Sequence, residues 1–279
     1  MVAICSCVSR QYSEEQYARI ANDGGATMDR AVHCRDRGEG GYYHWLTAIM
    51  PRLELIRTRS SYGSLPHLIE PWAGFAMDWL DFSAPGLVVQ RAERKAVFVR
   101  ELIYAAPAQV GHSHYARNPL LLQWFRQSLK GRGLLAPVHA GGRRKLYISR
   151  SDAPVRRLVN EDALMDRLAP LGFERVSLSG MAVREQIQLF ASASVIIGPH
   201  GAGLANAVFS EPDALVIELM SPTRTWPGFK VISGAAGARY AAYVAEAFDG
   251  AQTELVGCGN EDFSVRVDTC VRFVEACIP

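Results

Sequence analysis

The stretch that decides the fold is SVIIGPHGAGLANAVFSEPDALVIELMSP, Ser194 to Pro222. It opens as a buried strand, SVIIG, and turns through Gly198, His200, Gly201 and Gly203. GLANAVF reads as a short helix and ALVIELM as a second buried strand. Near-continuous apolar runs joined by a helix are the pattern of a parallel sheet covered on both faces. The same alternation extends outward. KLYIS (Lys145–Ser149) is a strand, and NEDALMDRLAPLG sets Leu164, Leu168 and Leu171 on one helical face with Gly172 as its stop. FERVSLS alternates as a strand, and AVREQIQLFASA lines up Val183, Ile187, Phe190 and Ala191. Beyond Pro222, RYAAYVA reads as one more strand and VDTCVRFVEAC as a closing helix. The class is α/β with right-handed crossovers.

The first half reads as a second, smaller α/β unit. GYYHWLTAIMPRLELIR places Leu46, Ile49, Met50, Leu53 and Ile56 at helical spacing, with a kink or break expected at Pro51. LVVQ and AVFVRELIY read as strands, and NPLLLQWFRQSLK as a helix with Pro119 in its first turn. The forty or so residues before YYHWL do not read as a run of strands. The Gly- and Pro-rich stretch Gly131–Lys145 is the expected boundary, giving an N-terminal α/β domain over 1–135 and a C-terminal Rossmann-like domain over 136–279.

Composition narrows the function. The chain has 279 residues, 49% hydrophobic and 21% charged, which is globular rather than disordered. A formal charge of +2 without a basic, aromatic-interleaved run gives nucleic acid no electrostatic footing. No apolar run approaches the ~20 residues that span a bilayer. The start, MVAICSCVSRQYSEEQ, lacks a basic n-region, so a cytoplasmic chain is expected. Of six cysteines none forms a CxxC pair, so free thiols and no metal are expected.

At the glycine turn, the helix-start N–H groups and the helix dipole favour an anion, a phosphate or diphosphate. The spacing G-x-x-G-x-G is not the dinucleotide fingerprint. His200 can donate to a phosphate, and Glu218, near the carboxyl end of its strand, can accept from ribose hydroxyls. Arg150 follows a strand, so it too sits at the carboxyl edge of the sheet. Arg156 and Arg157 precede a helix that Asn160 is expected to cap, and of the three arginines Arg156 reads most like a plain loop residue. No G-x-S-x-G elbow appears, since GHSHY lacks its second glycine, which argues against an α/β hydrolase.

Together, the opening stretch, REQIQLFASA before it, ISRSDAPVRRLVNEDAL upstream and YYHWLTAIMPRL in the first half resemble the family-61 glycosyltransferases, in order from about Tyr42 to Pro222. That family includes bacterial capsule-type transferases and eukaryotic enzymes adding xylose, arabinose or N-acetylglucosamine. The resemblance implies an inverting enzyme of GT-B architecture, with two Rossmann-like domains facing across a cleft, the N-terminal one short. It implies a nucleotide-sugar donor, commonly UDP-linked, and a glycan or polysaccharide acceptor, with no further cofactor and a place beside polysaccharide assembly machinery. By the same analogy Arg150, Arg157, His200, Gly201, Ala202, Gly203 and Glu218 line the donor site, and Asn160 and Glu185 fall in matching motifs. The absence of a D-x-D triplet suits arginine-based, metal-independent stabilisation of the leaving diphosphate. The general base is expected from the opposite domain: His44, with Asp78 and Asp81 as fallbacks. One position departs from the family pattern, Ala48, where members often carry an acid after the HW pair. That departure and the short first domain motivate the alternative, a nucleotide-sugar-binding protein with little or no turnover.

Overall fold

The computed structural model describes residues 2–5, 8–9, 26–36, 38–70, 74–91, 97–104, 117–135, 144–246 and 259–278, with isolated positions between 15 and 22. Residues 136–143 of the Gly- and Pro-rich stretch, the GHSHY segment, Cys7 and Cys258 lie outside them. The chain divides into two compact units, Met1–His114 and Tyr115–Pro279. The division falls before the expected boundary. Helix Pro119–Gly131 packs on helix Gly228–Ala236, and the buried Arg126 donates to the Ser210 carbonyl at 2.9 Å.

In the first unit the strands are β1 (Val2–Cys5), β2 (Val8–Ser9), β3 (Ala26–His33), β4 (His67–Leu68), β5 (Val89–Gln90) and β6 (Val97–Tyr104), in the order β2-β1-β6-β3-β4-β5. From β6 to β5 the strands run parallel, and β1 is antiparallel to both its neighbours. Central β3 lies in the segment whose sequence does not look like a strand. Its mid-strand charges are spent on the surface, Asp29 against Arg100 and Arg30 against Glu101, while Ala31 and Val32 are buried. The YYHWL helix does not break at Pro51. It runs as Tyr42–His44, a π-helical turn over Trp45–Ile49, and Met50–Arg59. Pro51 follows the wide turn directly, in the first turn of the last segment.

The second unit carries a five-stranded, all-parallel sheet: β7 (Arg144–Ile148), β8 (Phe173–Val176), β9 (Ala193–Pro199), β10 (Leu215–Met220) and β11 (Arg239–Val244), ordered β11-β10-β9-β7-β8. One face packs Tyr147, Val195, Ile197, Ile217 and Leu219 against Leu164 and Leu168 of helix Glu161–Leu168 and Val271 and Val274 of helix Val267–Cys277. Gly172 ends the first of these helical segments in the left-handed conformation, φ 86°. GLANAVF forms a 3-10 rather than an α-helix, Ala202–Phe209. After β7 the chain goes to β8 on one side and returns to β9 on the other. The strand order therefore reverses between β7 and β9, and in open α/β sheets ligands bind outside the carboxyl ends of the strands at that point.

Candidate functional site

A pocket of about 320 Å³ lies at this switch point. It is lined by the ends of β7 and β9 and the loops after them, with Arg150, Asp152, Gly201 and Gly203 among its walls and Leu178 and Ser179 from the loop after β8. Gly201 leaves the space that Arg150 fills. A Cβ there would stand 2.0 Å from a terminal nitrogen of Arg150, so the guanidinium lies across the bare turn. Arg150 is anchored by donating to the Val155 carbonyl at 3.0 Å, and burial lowers its pKa from the ordinary arginine value. Gly198 answers a different constraint: its Cβ would meet the Ile148 carbonyl oxygen of β7 at 2.8 Å.

His200 and Glu218 are brought together, but not as two groups facing a ligand. Glu218 is adjacent to Gly198 in the β9–β10 register and fully buried. Its carboxylate is satisfied internally, by the Nδ1 of His200 and by the Tyr240 hydroxyl of β11 at 2.5 Å. Arg224 donates from Nε to His200 Nε2 at 3.2 Å. A guanidinium has no acceptor, so Nε2 is the acceptor and the proton sits on Nδ1, facing Glu218. Arg224, His200, Glu218 and Tyr240 form one chain, closed over by Trp226 and Phe229 edge-on to the imidazole. Glu218, expected to receive ribose hydroxyls, is engaged by His200 and Tyr240 in this arrangement. A buried carboxylate must be paired, and this one is paired within the protein. The carboxylate among the pocket walls is Asp152. Hydrogen bonds from Ser177 and Ser179 hold it below the usual carboxylate range.

Arg156 and Arg157 have different partners. Arg157 is half exposed and turns to Asp262, with its backbone N–H and guanidinium both donating to that carboxylate at 2.6–2.8 Å. Arg156 donates to the His200 carbonyl at 3.3 Å and holds a positive φ of 57°, a conformation that costs a non-glycine residue of order 1 kcal/mol or more. Asn260 secures it through two hydrogen bonds, one to its backbone N–H at 3.3 Å and one to its guanidinium at 2.7 Å. Asn160 makes no side-chain cap. It pairs instead with the backbone of Val265, donating at 2.8 Å and accepting at 3.2 Å. Glu185 closes on the Ala182 N–H at the start of helix Val183–Ala191. Ala202 opens the 3-10 helix beside Gly201. Asp152, Arg224 and Asp262 escaped the sequence reading, although the first two follow strands of the parallel sheet directly.

In the first unit His44 sits at the head of the YYHWL helix, its Nδ1 3.1 Å from Asp36 Oδ1. Asp78 and Asp81 lie on the exposed face of helix Gly74–Ser83.

The sequence profile described as Glycosyltransferase 61 matches residues 42–217, from the start of the YYHWL helix to the middle of β10. The chain belongs to glycosyltransferase family 61. A beta-1,2-xylosyltransferase from Arabidopsis thaliana is 32% identical over 97 residues, 30% of this chain and 18% of that protein. Beta-1,2-xylosyltransferase RCN11 from Oryza sativa subsp. japonica is 43% identical over 53 residues, 19% of this chain and 10% of that one. The chain thus matches under a fifth of the length of these relatives. A phosphoglycerate oxidoreductase from Vibrio cholerae O395 overlays 89% of this chain and 99% of its own at 15% identity and a TM-score of 0.24, too low to bear on the fold. In this family-61 chain the profile takes in both the His44 helix and the Gly201 turn. Among the described residues no helix is long and apolar enough to cross a membrane.

Proposed function

We propose that this chain is an inverting, metal-independent glycosyltransferase that moves a sugar from a UDP-linked donor to a hydroxyl of a glycan. The observation that carries the reading is the pocket at the β7/β9 switch point, with Arg150 lying across Gly201. A guanidinium beside helix-start N–H groups is suited to a diphosphate. Arg150 and the Gly201–Gly203 backbone take the diphosphate, Asp152 accepts from donor hydroxyls, and His200 with Glu218 holds the turn in shape. We read the two units as a GT-B pair in which the first supplies the base. His44 Nε2 takes the proton from the acceptor hydroxyl as that oxygen bonds the anomeric carbon. The bond from that carbon to the diphosphate oxygen breaks, and its electron pair leaves on UDP beside Arg150. The relatives named as xylosyltransferases make UDP-xylose the first donor to try.

A second reading, nucleotide-sugar binding without turnover, is favoured by Ala48 and the short first domain. UDP release from UDP-xylose and other UDP-sugars, with p-nitrophenyl glycosides or water as acceptor, separates the two. The transferase reading expects release that His44→Gln lowers at least ~100-fold, the usual scale of acid–base catalysis. UDP binding with no release from any donor would establish the second reading.

A further inference from the structure

The loop after β3 carries a carboxylate that none of the sequence motifs includes. We propose that Asp36 is the positioning residue for His44: it accepts the Nδ1 proton and so fixes the basic lone pair on Nε2, doing from the strand loop what Ala48 cannot do from the helix. The inference rests on the reading of His44 as the base.

The geometry is built from three fixed parts. Asp36 Oδ1 is 3.1 Å from His44 Nδ1 and receives the Gly38 N–H, also at 3.1 Å. That second bond orients the carboxylate, whose side chain is only 6% exposed. Gly38 presses on the imidazole, and a Cβ there would come within 2.3 Å of the ring. Arg52, fully buried, ties the loop to the helix. It donates to the Ala48 carbonyl at 2.8 Å and to the Cys34 carbonyl at 2.8 Å, and stands 3.9 Å from Asp36 Oδ2. Loop and helix are therefore locked to each other, and the carboxylate has a cation behind it. Free imidazole in water prefers the proton on Nε2, which leaves the basic nitrogen at Nδ1. A carboxylate at Nδ1 reverses that preference, and a general base needs its tautomer set before the substrate arrives. The π turn begins one residue after His44.

The test is nitrogen NMR on the full chain with labelled histidine, for the wild type, Asp36→Ala and Asp36→Asn, together with UDP release from UDP-xylose. Asn keeps an acceptor oxygen for Nδ1 without the charge, so it separates orientation from electrostatics. The wild type is expected to hold His44 with the proton on Nδ1 at neutral pH. Asp36→Ala is expected to return it largely to the Nε2 form, and Asp36→Asn to keep the wild-type tautomer. The kcat for release is expected to fall at least tenfold in Asp36→Ala and less in Asp36→Asn, with the KM for donor and the Kd for UDP within twofold of the wild type. Two results overturn the inference: a wild-type His44 protonated on Nε2, or Asp36→Ala turning over at the wild-type kcat while His44→Gln is inactive. The second leaves the base reading standing. His44→Gln turning over like the wild type removes the base reading and the inference with it.

Discussion

At the residue scale the decisive feature is what Gly201 lacks. Its backbone is extended, so glycine is not needed for conformation; it is needed because Arg150 occupies the space of a side chain. A methyl group there displaces a flexible guanidinium rather than the backbone, so the fold should survive while the anion site suffers. Gly201→Ala is expected to keep its thermal midpoint within a few degrees and to bind UDP about tenfold more weakly, the worth of one charge-assisted hydrogen bond. Calorimetry beside a melting curve checks both halves. His33, at the end of β3, carries a pH dependence of its own. Burial, with Arg52 and Arg35 adding to it, pushes its pKa down from 6.5 to about 4. The folded chain keeps the imidazole neutral, while the unfolded chain protonates as the pH drops through 6.5. The stability at stake is therefore fully present above that value and is lost as the pH falls toward 4. Between pH 7 and pH 5 the loss amounts to about 2 kcal/mol. Urea unfolding at the two values should show it in the wild type, and His33→Gln should flatten the difference.

Elements explain why part of the site was legible and part was not. The inner strands β9 and β10 of the second unit are buried almost throughout, so their apolar runs mark them, and the glycine turn between β9 and the 3-10 helix stands out in the sequence. The partners of His200 and Glu218 do not. Tyr240 comes from the edge strand and Arg224 from an irregular loop, and only the register of the sheet brings them together. The segment Gly259–Val265 was equally invisible, because it has no periodicity and its effect is exerted through long-range pairs. It nevertheless secures both loops beside the turn: Asn260 and Asp262 hold Arg156 and Arg157, while Glu261 accepts from Thr223 at 2.9 Å. On this account Arg157 serves the strap rather than the diphosphate. Asp262→Ala and Arg157→Ala should then each raise the Kd for UDP by a few-fold, with the double variant no worse than either, as expected for partners in one interaction. A lower Kd in Asp262→Ala would mean that the carboxylate competes with phosphate for Arg157.

At the scale of the whole chain, two α/β units divide the proposed work, the second with the donor pocket and the first with the imidazole–carboxylate pair. The second was readable because a parallel sheet carries its signature strand by strand. The first was less so because its central strand places charges in cross-strand pairs and its principal helix carries a proline just after a π turn. The profile match spanning residues 42–217 joins the two units in one family. On the proposed reading, the pocket at the switch point holds a nucleotide diphosphate through Arg150 and the bare turn, without metal. Calorimetric titration of UDP into the full chain tests it most directly, for the wild type and for Arg150→Ala, each with and without magnesium. The wild type is expected to bind UDP, no more tightly with magnesium, and Arg150→Ala to bind at least ~10-fold more weakly. Binding that requires magnesium, binding indifferent to Arg150, or no binding by the wild type would contradict it.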